Sequence, residues 1–285
     1  FRDDPAVVGV VGHTESDATL NAAAVYEDRE GGGRRALVAV APTSGAPGVT
    51  ESPWVLRVCP VIDRQAAVMA RYVADSLGAQ QVAVVYRNDS AGKGFLRGFV
   101  PALRAARGTM TERDPFTEEV SEFEAYGKRI ARRATPAVGF FGNATDALAL
   151  IGALRDAGSG AVVVGANPPS DSMLMDPETA RRFSGMRYSA LYVADRPLTE
   201  RARHFAAAYR ERYGSTPDHW GALAYDAAQL IGRAVHEVGA DRVRVRDRVA
   251  SVGRDAPPFS GATGEIRFDS LGDPIDKPVM IERVP

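Results

Sequence analysis

The chain is poor in lysine: Lys93, Lys128 and Lys277 are the only three among 35 cationic residues, the rest being arginine. Its formal net charge is −1, and without a basic surplus neither nucleic acid nor an anionic membrane surface is expected as a partner. It has one cysteine, Cys59, so no internal disulfide can form. Cys59 follows the apolar-rich stretch WVLRV and reads as a small buried residue. No apolar run is long enough to span a bilayer. The four histidines, His13, His204, His219 and His236, lack metal-ligand spacing. There is no G-x-x-x-x-G-K-[ST] and no G-x-S-x-G, and Cys59 has no evident partner to lower its pKa. Gly92, Gly94 and Gly98 follow a strand and open a helix, but the third glycine comes one place late for a dinucleotide fingerprint, so they read as turn and packing residues. No cofactor, metal or enzymatic chemistry is therefore expected. The chain begins at Phe1 with no signal-peptide pattern, which reads as a processed or trimmed chain.

What is present is a soluble globular composition, 45% hydrophobic and 25% charged, long enough for one large or two medium domains. The stretch from Ala6 to Glu27 organises the rest. Its β-branched run from Val7 to Val11 reads as a buried parallel strand. A turn from Gly12 to Ser16 follows, then a helix with Ser16 expected as N-cap and Thr19 three residues on. A strand end feeding a helix N-terminus favours a small anion through its free N–H groups and dipole. His13 in that turn reads as a structural imidazole. Strands follow at 36–41 and 54–58, with the hydroxyl-rich loop Pro42-Thr43-Ser44-Gly45-Ala46-Pro47 after the first. Helix 63–77 comes next. Strand–helix alternation then runs through strand 81–86, helix 95–107, strand 138–141, helix 144–157, strand 161–164, helix 177–183 and strand 187–193, an order that indicates parallel sheets. Helices at 200–213, 220–238 and 242–252 precede a terminal pair of strands, 261–268 and 278–283, expected to form a hairpin across the Gly272-Asp273-Pro274 turn. Tyr225 reads as packing between helix and sheet, Asp226 as capping a loop. Asp146 and Asp171 follow strands and could face a ligand, but acids there often cap helices.

The ordered set of local signatures resembles the type I periplasmic binding proteins, in the leucine/isoleucine/valine-binding branch. The matching pieces are the VVGHTES turn, the APTSGAP loop, the arginine-bearing strand in WVLRVCPVIDRQAAVMARYV, VAVVYRNDSAGKGFLRGF, FFGNATDALALIGALRDAG, WGALAYDAAQLIGRAV and FSGATGEIRFDSLGD. The resemblance implies an α/β fold of two lobes, each a mainly parallel sheet flanked by helices, with a small ligand held between them. Lobe 1 would comprise residues 1–79 and 195–254, and lobe 2 residues 80–194 and 255–285. The family's first β-α-β-α stretch has no counterpart here, so strand 7–11 is expected either to have lost upstream residues or to have its edge covered by something else.

By the same resemblance, a ligand carboxylate would meet Ser16 and the loop Thr43, Ser44 and Gly45. Asn143 and Asn167 would contribute from lobe 2, and Trp220 would supply an apolar wall. A family threonine is replaced by Gly45, a family aromatic by Ala91, and the family acid that takes the ligand ammonium by Asn167. An amide can hydrogen-bond an ammonium but not neutralise it, so a neutral or anionic small molecule competes with an amino acid. The implied role is a non-catalytic, extracytoplasmic (periplasmic or cell-surface lipoprotein) solute-binding protein whose partner is the membrane permease of an ABC importer. The alternative is a sensor ectodomain with a fused signalling domain, and a doubly wound enzyme or a member without a small ligand stands further off.

Overall fold

Short apolar strands alternate with helices along most of the chain. The computed structural model describes residues 1–117, 123–166, 169, 173, 174 and 176–285. The strands are β1 (Gly9–Val11), β2 (Val38–Ala41), β3 (Val55–Arg57), β4 (Gln81–Arg87), β5 (Thr109–Phe116), β6 (Ala137–Phe141), β7 (Val162–Gly165), β8 (Arg187–Ala190), β9 (Phe259–Gly261), β10 (Gly264–Ile266) and β11 (Met280–Arg283). The helices are α1 (Ser16–Glu27), α2 (Ile62–Arg71, continued by a π-helical turn Tyr72–Ser76), α3 (Ser90–Ala105), α4 (Glu124–Arg132), α5 (Ala144–Asp156), α6 (Pro177–Phe183), α7 (Glu200–Tyr213), α8 (His219–Val238) and α9 (Arg242–Ala250).

These elements form two units, Phe1–Val61 with Leu191–Pro278 and Ile62–Ala190 with Val279–Pro285. In the first, β1, β2 and β3 make a parallel sheet in that order, with β1 at an edge and β2 fully buried. Helix α8 lies against β1 and β2. Gly9 permits the approach, because a Cβ there would stand 2.9 Å from the Ile231 side chain. The hairpin β9–β10 is pinned to α8 by Asp226, whose carboxylate accepts from the N–H groups of Ala262 (2.6 Å) and Thr263 (2.8 Å). Buried Lys277 donates to Thr263 Oγ1 at 2.6 Å, and that hydroxyl donates to Asp226 at 2.5 Å, so one threonine relays a buried charge pair.

The second unit is a six-stranded sheet in the order β11-β8-β7-β6-β4-β5, parallel except for β11. One face packs with α2 and α3 through Met69, Phe95, Phe99 and Leu103. The other packs with α4 and α5 through Ile130, Leu150, Ile151 and Leu154.

Three expectations differ in the structure. Helix α2 groups with the second unit rather than with residues 1–61, because its buried Ala66, Met69 and Ala70 join Phe95 and Phe99 in one core. The segment 255–278 groups with the first unit, where Asp226 holds the hairpin. Periodicity identifies a buried face but not the neighbour that receives it. Thirdly, the terminal hairpin forms between β9 and β10, while β11 pairs antiparallel with β8. Neither β5 nor α4 is among the elements expected from sequence: buried Phe116 and Ile130 join the core, while Glu112 and Asp114 of β5 meet Arg129 of α4, and Arg133 just beyond it reaches Glu112 at 2.6 Å.

Candidate functional site

The turn between β1 and α1 builds the site. Glu15, not Ser16, is the N-cap, with extended backbone (φ −90°, ψ 137°) and no side-chain cap. Ser16 is the first helical residue. Its N–H and those of Asp17 and Ala18 stand ahead of the helix's own hydrogen-bond ladder, which Thr19 N joins at the Glu15 carbonyl (3.1 Å). Ser16 is buried, and its Oγ accepts from Ala46 N at 3.1 Å, which leaves the hydroxyl hydrogen to donate.

The hydroxyl loop after β2 folds onto this turn. His13 N donates to Thr19 Oγ1 (3.4 Å), Thr19 Oγ1 lies 2.6 Å from Ser44 Oγ, and Ser44 Oγ donates to the His13 carbonyl (2.8 Å). That circuit commits the Ser44 hydroxyl internally, so a ligand would meet the loop through backbone rather than through this side chain. Thr43 Oγ1 donates to the Thr14 carbonyl at 2.9 Å. His13 Nε2 bonds the Tyr26 hydroxyl at 2.8 Å with the rings stacked, so its role is structural, with a tyrosine as its side-chain partner.

Arg57, the last residue of β3, is 1% exposed and lies beneath the same loop. Its Nε donates to Asp273 Oδ1 (2.6 Å), and its Nη1 donates to the carbonyls of Ser44 (3.1 Å) and Ala46 (2.6 Å). From sequence, Thr19 is expected in a helix, Asp273 in a turn and Arg57 in a strand, but none of them with a part in the site. The signal for Arg57 was an arginine inside an otherwise apolar strand, since a buried guanidinium must find partners.

Trp220 lies in the first turn of α8, half-buried, with the His219 ring edge-on at 4.4 Å. Burial pushes the His219 imidazole down to about 3. Ser16, Thr43, Ser44, Gly45 and Trp220 thus share the first unit, and the first four are brought together. Asn143 belongs to the second unit and caps α5: its side chain accepts from Asp146 N (2.8 Å), and Asp146 accepts from Asn143 N (3.1 Å). Asn167 and Asp171 lie outside the described residues. Tyr225 packs against Phe205 at 4.5 Å, helix against helix.

The rejected chemistry has structural explanations. A Cβ at Gly92 would stand 1.8 Å from the Arg87 carbonyl oxygen and one at Gly98 2.0 Å from that of Asp63, so both glycines serve close packing. Burial pushes the Cys59 thiol up to about 11. Among the described residues no cluster of three or more His, Cys, Asp or Glu could hold a metal ion, and no helix is long and apolar enough to cross a membrane.

A parallel-sheet α/β unit in which a strand end feeds a helix N-terminus is the arrangement of doubly wound ligand- and nucleotide-binding domains. The periplasmic binding protein family model matches residues 2–283, and the chain belongs to that family, one of binding proteins rather than enzymes. It is 25% identical over 282 residues to the amino acid binding protein of Pseudomonas aeruginosa, covering 95% of this chain and 70% of that one. It is 25% identical to the Leu/Ile/Val-binding protein BraC3 of Rhizobium johnstonii, covering 83% and 64%. The chain therefore spans about two thirds of the length of these relatives. A leucine-binding protein from Thermotoga maritima shares the fold with a TM-score of 0.87 at 24% identity, covering 99% of this chain and 78% of that one. So does a solute-binding protein of an ABC transporter from R. palustris in complex with benzoate, with a TM-score of 0.83 at 18% identity, covering 97% and 74%.

Proposed function

We propose that the chain is the ligand-capturing part of an extracytoplasmic solute-binding protein serving an ABC importer, and that it takes a small molecule bearing a carboxylate. Capture would occur between the two units, with closure presenting a surface to the membrane permease. The observation that carries the reading is the α1 N-terminus. Its free N–H groups, the Ser16 hydroxyl hydrogen and the Thr43–Ala46 loop converge where an anion is favoured. Trp220 would supply an apolar or stacking wall.

Two relatives are named for binding amino acids and a neighbour of the same fold is in complex with benzoate, which supports aliphatic amino acids and aromatic acids as the ligands to try. Isothermal titration of the chain with leucine, isoleucine, valine and benzoate tests this. Saturable one-to-one binding of at least one carboxylate is expected. Binding of none of them, with the protein folded by circular dichroism, overturns the proposed ligand class.

A further inference from the structure

We infer that the buried Arg57–Asp273 pair is a positioning element for carboxylate recognition, acting through the Ser44–Gly45 peptide. The inference rests on the reading that the Thr43–Ala46 loop meets the ligand.

One guanidinium ties three segments of the first unit together. Arg57 Nε binds Asp273 Oδ1 at 2.6 Å, and Nη1 binds the Ser44 and Ala46 carbonyls at 3.1 and 2.6 Å. Asp273 Oδ1 also accepts from Thr50 Oγ1 at 2.8 Å, and the backbone of Arg57 donates to the Gly272 carbonyl at 3.2 Å. The turn that carries Asp273 is itself closed by Asp269, whose carboxylate accepts from Asp273 N at 2.9 Å. The cation is thereby held at a fixed point under the loop.

The consequence lies on the other side of the loop. In a trans peptide the C=O and N–H point in opposite directions. Drawing the Ser44 carbonyl onto Arg57 turns the Gly45 N–H away from the guanidinium. The second clamped carbonyl, that of Ala46, precedes Pro47 and has no N–H behind it. The neighbouring Ala46 N is already bonded to Ser16 Oγ, and the Ser44 side chain is locked to the α1 turn through His13 and Thr19. The clamp therefore aims one donor, Gly45 N–H, and does so beside the Ser16 hydroxyl. A cation on the carbonyl also polarises the peptide and strengthens that donor towards an anion. Lysine cannot replace the fork, because its point charge lacks the paired, planar donors that hold a carboxylate and two carbonyls together.

The test uses two carboxylates and their amides as probes: leucine with leucinamide, and benzoate with benzamide. The wild type should prefer a carboxylate. Arg57→Met should weaken carboxylate binding tenfold or more and amide binding less than threefold, with Arg57→Lys in between. A solely structural pair would alter thermal stability but not this preference. Because Arg57→Met leaves Asp273 without its cation, the paired variant Arg57→Met/Asp273→Leu is measured as well. A folded paired variant with wild-type carboxylate affinity and preference overturns the inference while leaving the proposed function intact. In the wild type, carboxylate addition should move the Gly45 amide proton downfield in a heteronuclear NMR spectrum. A Gly45 signal that stays in place while others shift also overturns the inference, whether or not the variants fold. A wild type that binds none of the four probes removes the proposed function and this inference together.

Discussion

His219 is 6% exposed, and neither of its ring nitrogens has a hydrogen-bond partner among the described residues. Burial lowers its pKa to about 3, so the folded chain keeps the imidazole neutral where the unfolded chain, near 6.5, takes up a proton. Between those values the unfolded state binds more protons, and stability falls as pH drops. From neutral pH down to about pH 5 the loss from this one group is about 2 kcal/mol. Urea unfolding at about pH 7.5 and about pH 5 should show that slope reduced in His219→Phe, with neutral-pH stability unchanged or higher because an unpaired polar group has gone. Ser16→Ala removes a hydroxyl acceptor for Ala46 N and the proposed donor to the ligand, and should weaken carboxylate binding about tenfold, the scale of one hydrogen bond to a charged group. Trp220→Ala should weaken it at least as much by removing an aromatic wall. Calorimetric titration reads both, and unchanged affinity in both variants removes the site assignment. That the VVGHTES turn and the APTSGAP loop carry hydroxyls was legible, but how those atoms are used within the fold was not. Ser44 is committed within the fold, Ser16 follows the cap rather than forming it, and Arg57 orders the loop from below.

Helix pairing depends on small features of sequence. Helices α2 and α3 meet where Gly98 faces the backbone of Asp63, and a Cβ would lie 2.0 Å from its carbonyl oxygen. Gly98→Ala must push the helices apart and should cost about 2 kcal/mol or more. Gly232 in α8 faces open space, with no atom within 4 Å of where a Cβ would stand, so Gly232→Ala should stabilise by up to about 1 kcal/mol. Opposite shifts of the urea midpoint in the two variants are the expected result, and equal shifts would show that the close approach is not what constrains Gly98. Most helices and buried strands were legible from periodicity and β-branched runs. β5 and α4 were not, because acids on the strand and arginines on the helix side replace the apolar alternation that marks a half-buried strand.

For the whole molecule, the proposed capture between units predicts two measurable responses. The radius of gyration from small-angle scattering should fall when a bound carboxylate saturates the protein. Unfolding free energy should rise with ligand by mass action, about 2.7 kcal/mol at a hundred times Kd. Binding without compaction would place the ligand within a single unit. The α/β class, the family resemblance and the strand–turn–helix unit of β1 and α1 follow from the sequence alone, because strand, turn and helix signals are local and lie in order along the chain. Only the tertiary structure decided that α2 joins the second unit, that β11 pairs with β8, and that Asp273 meets Arg57 across more than two hundred residues. Such pairings depend on which buried face or charge finds its complement in space, and local pattern carries no record of that choice.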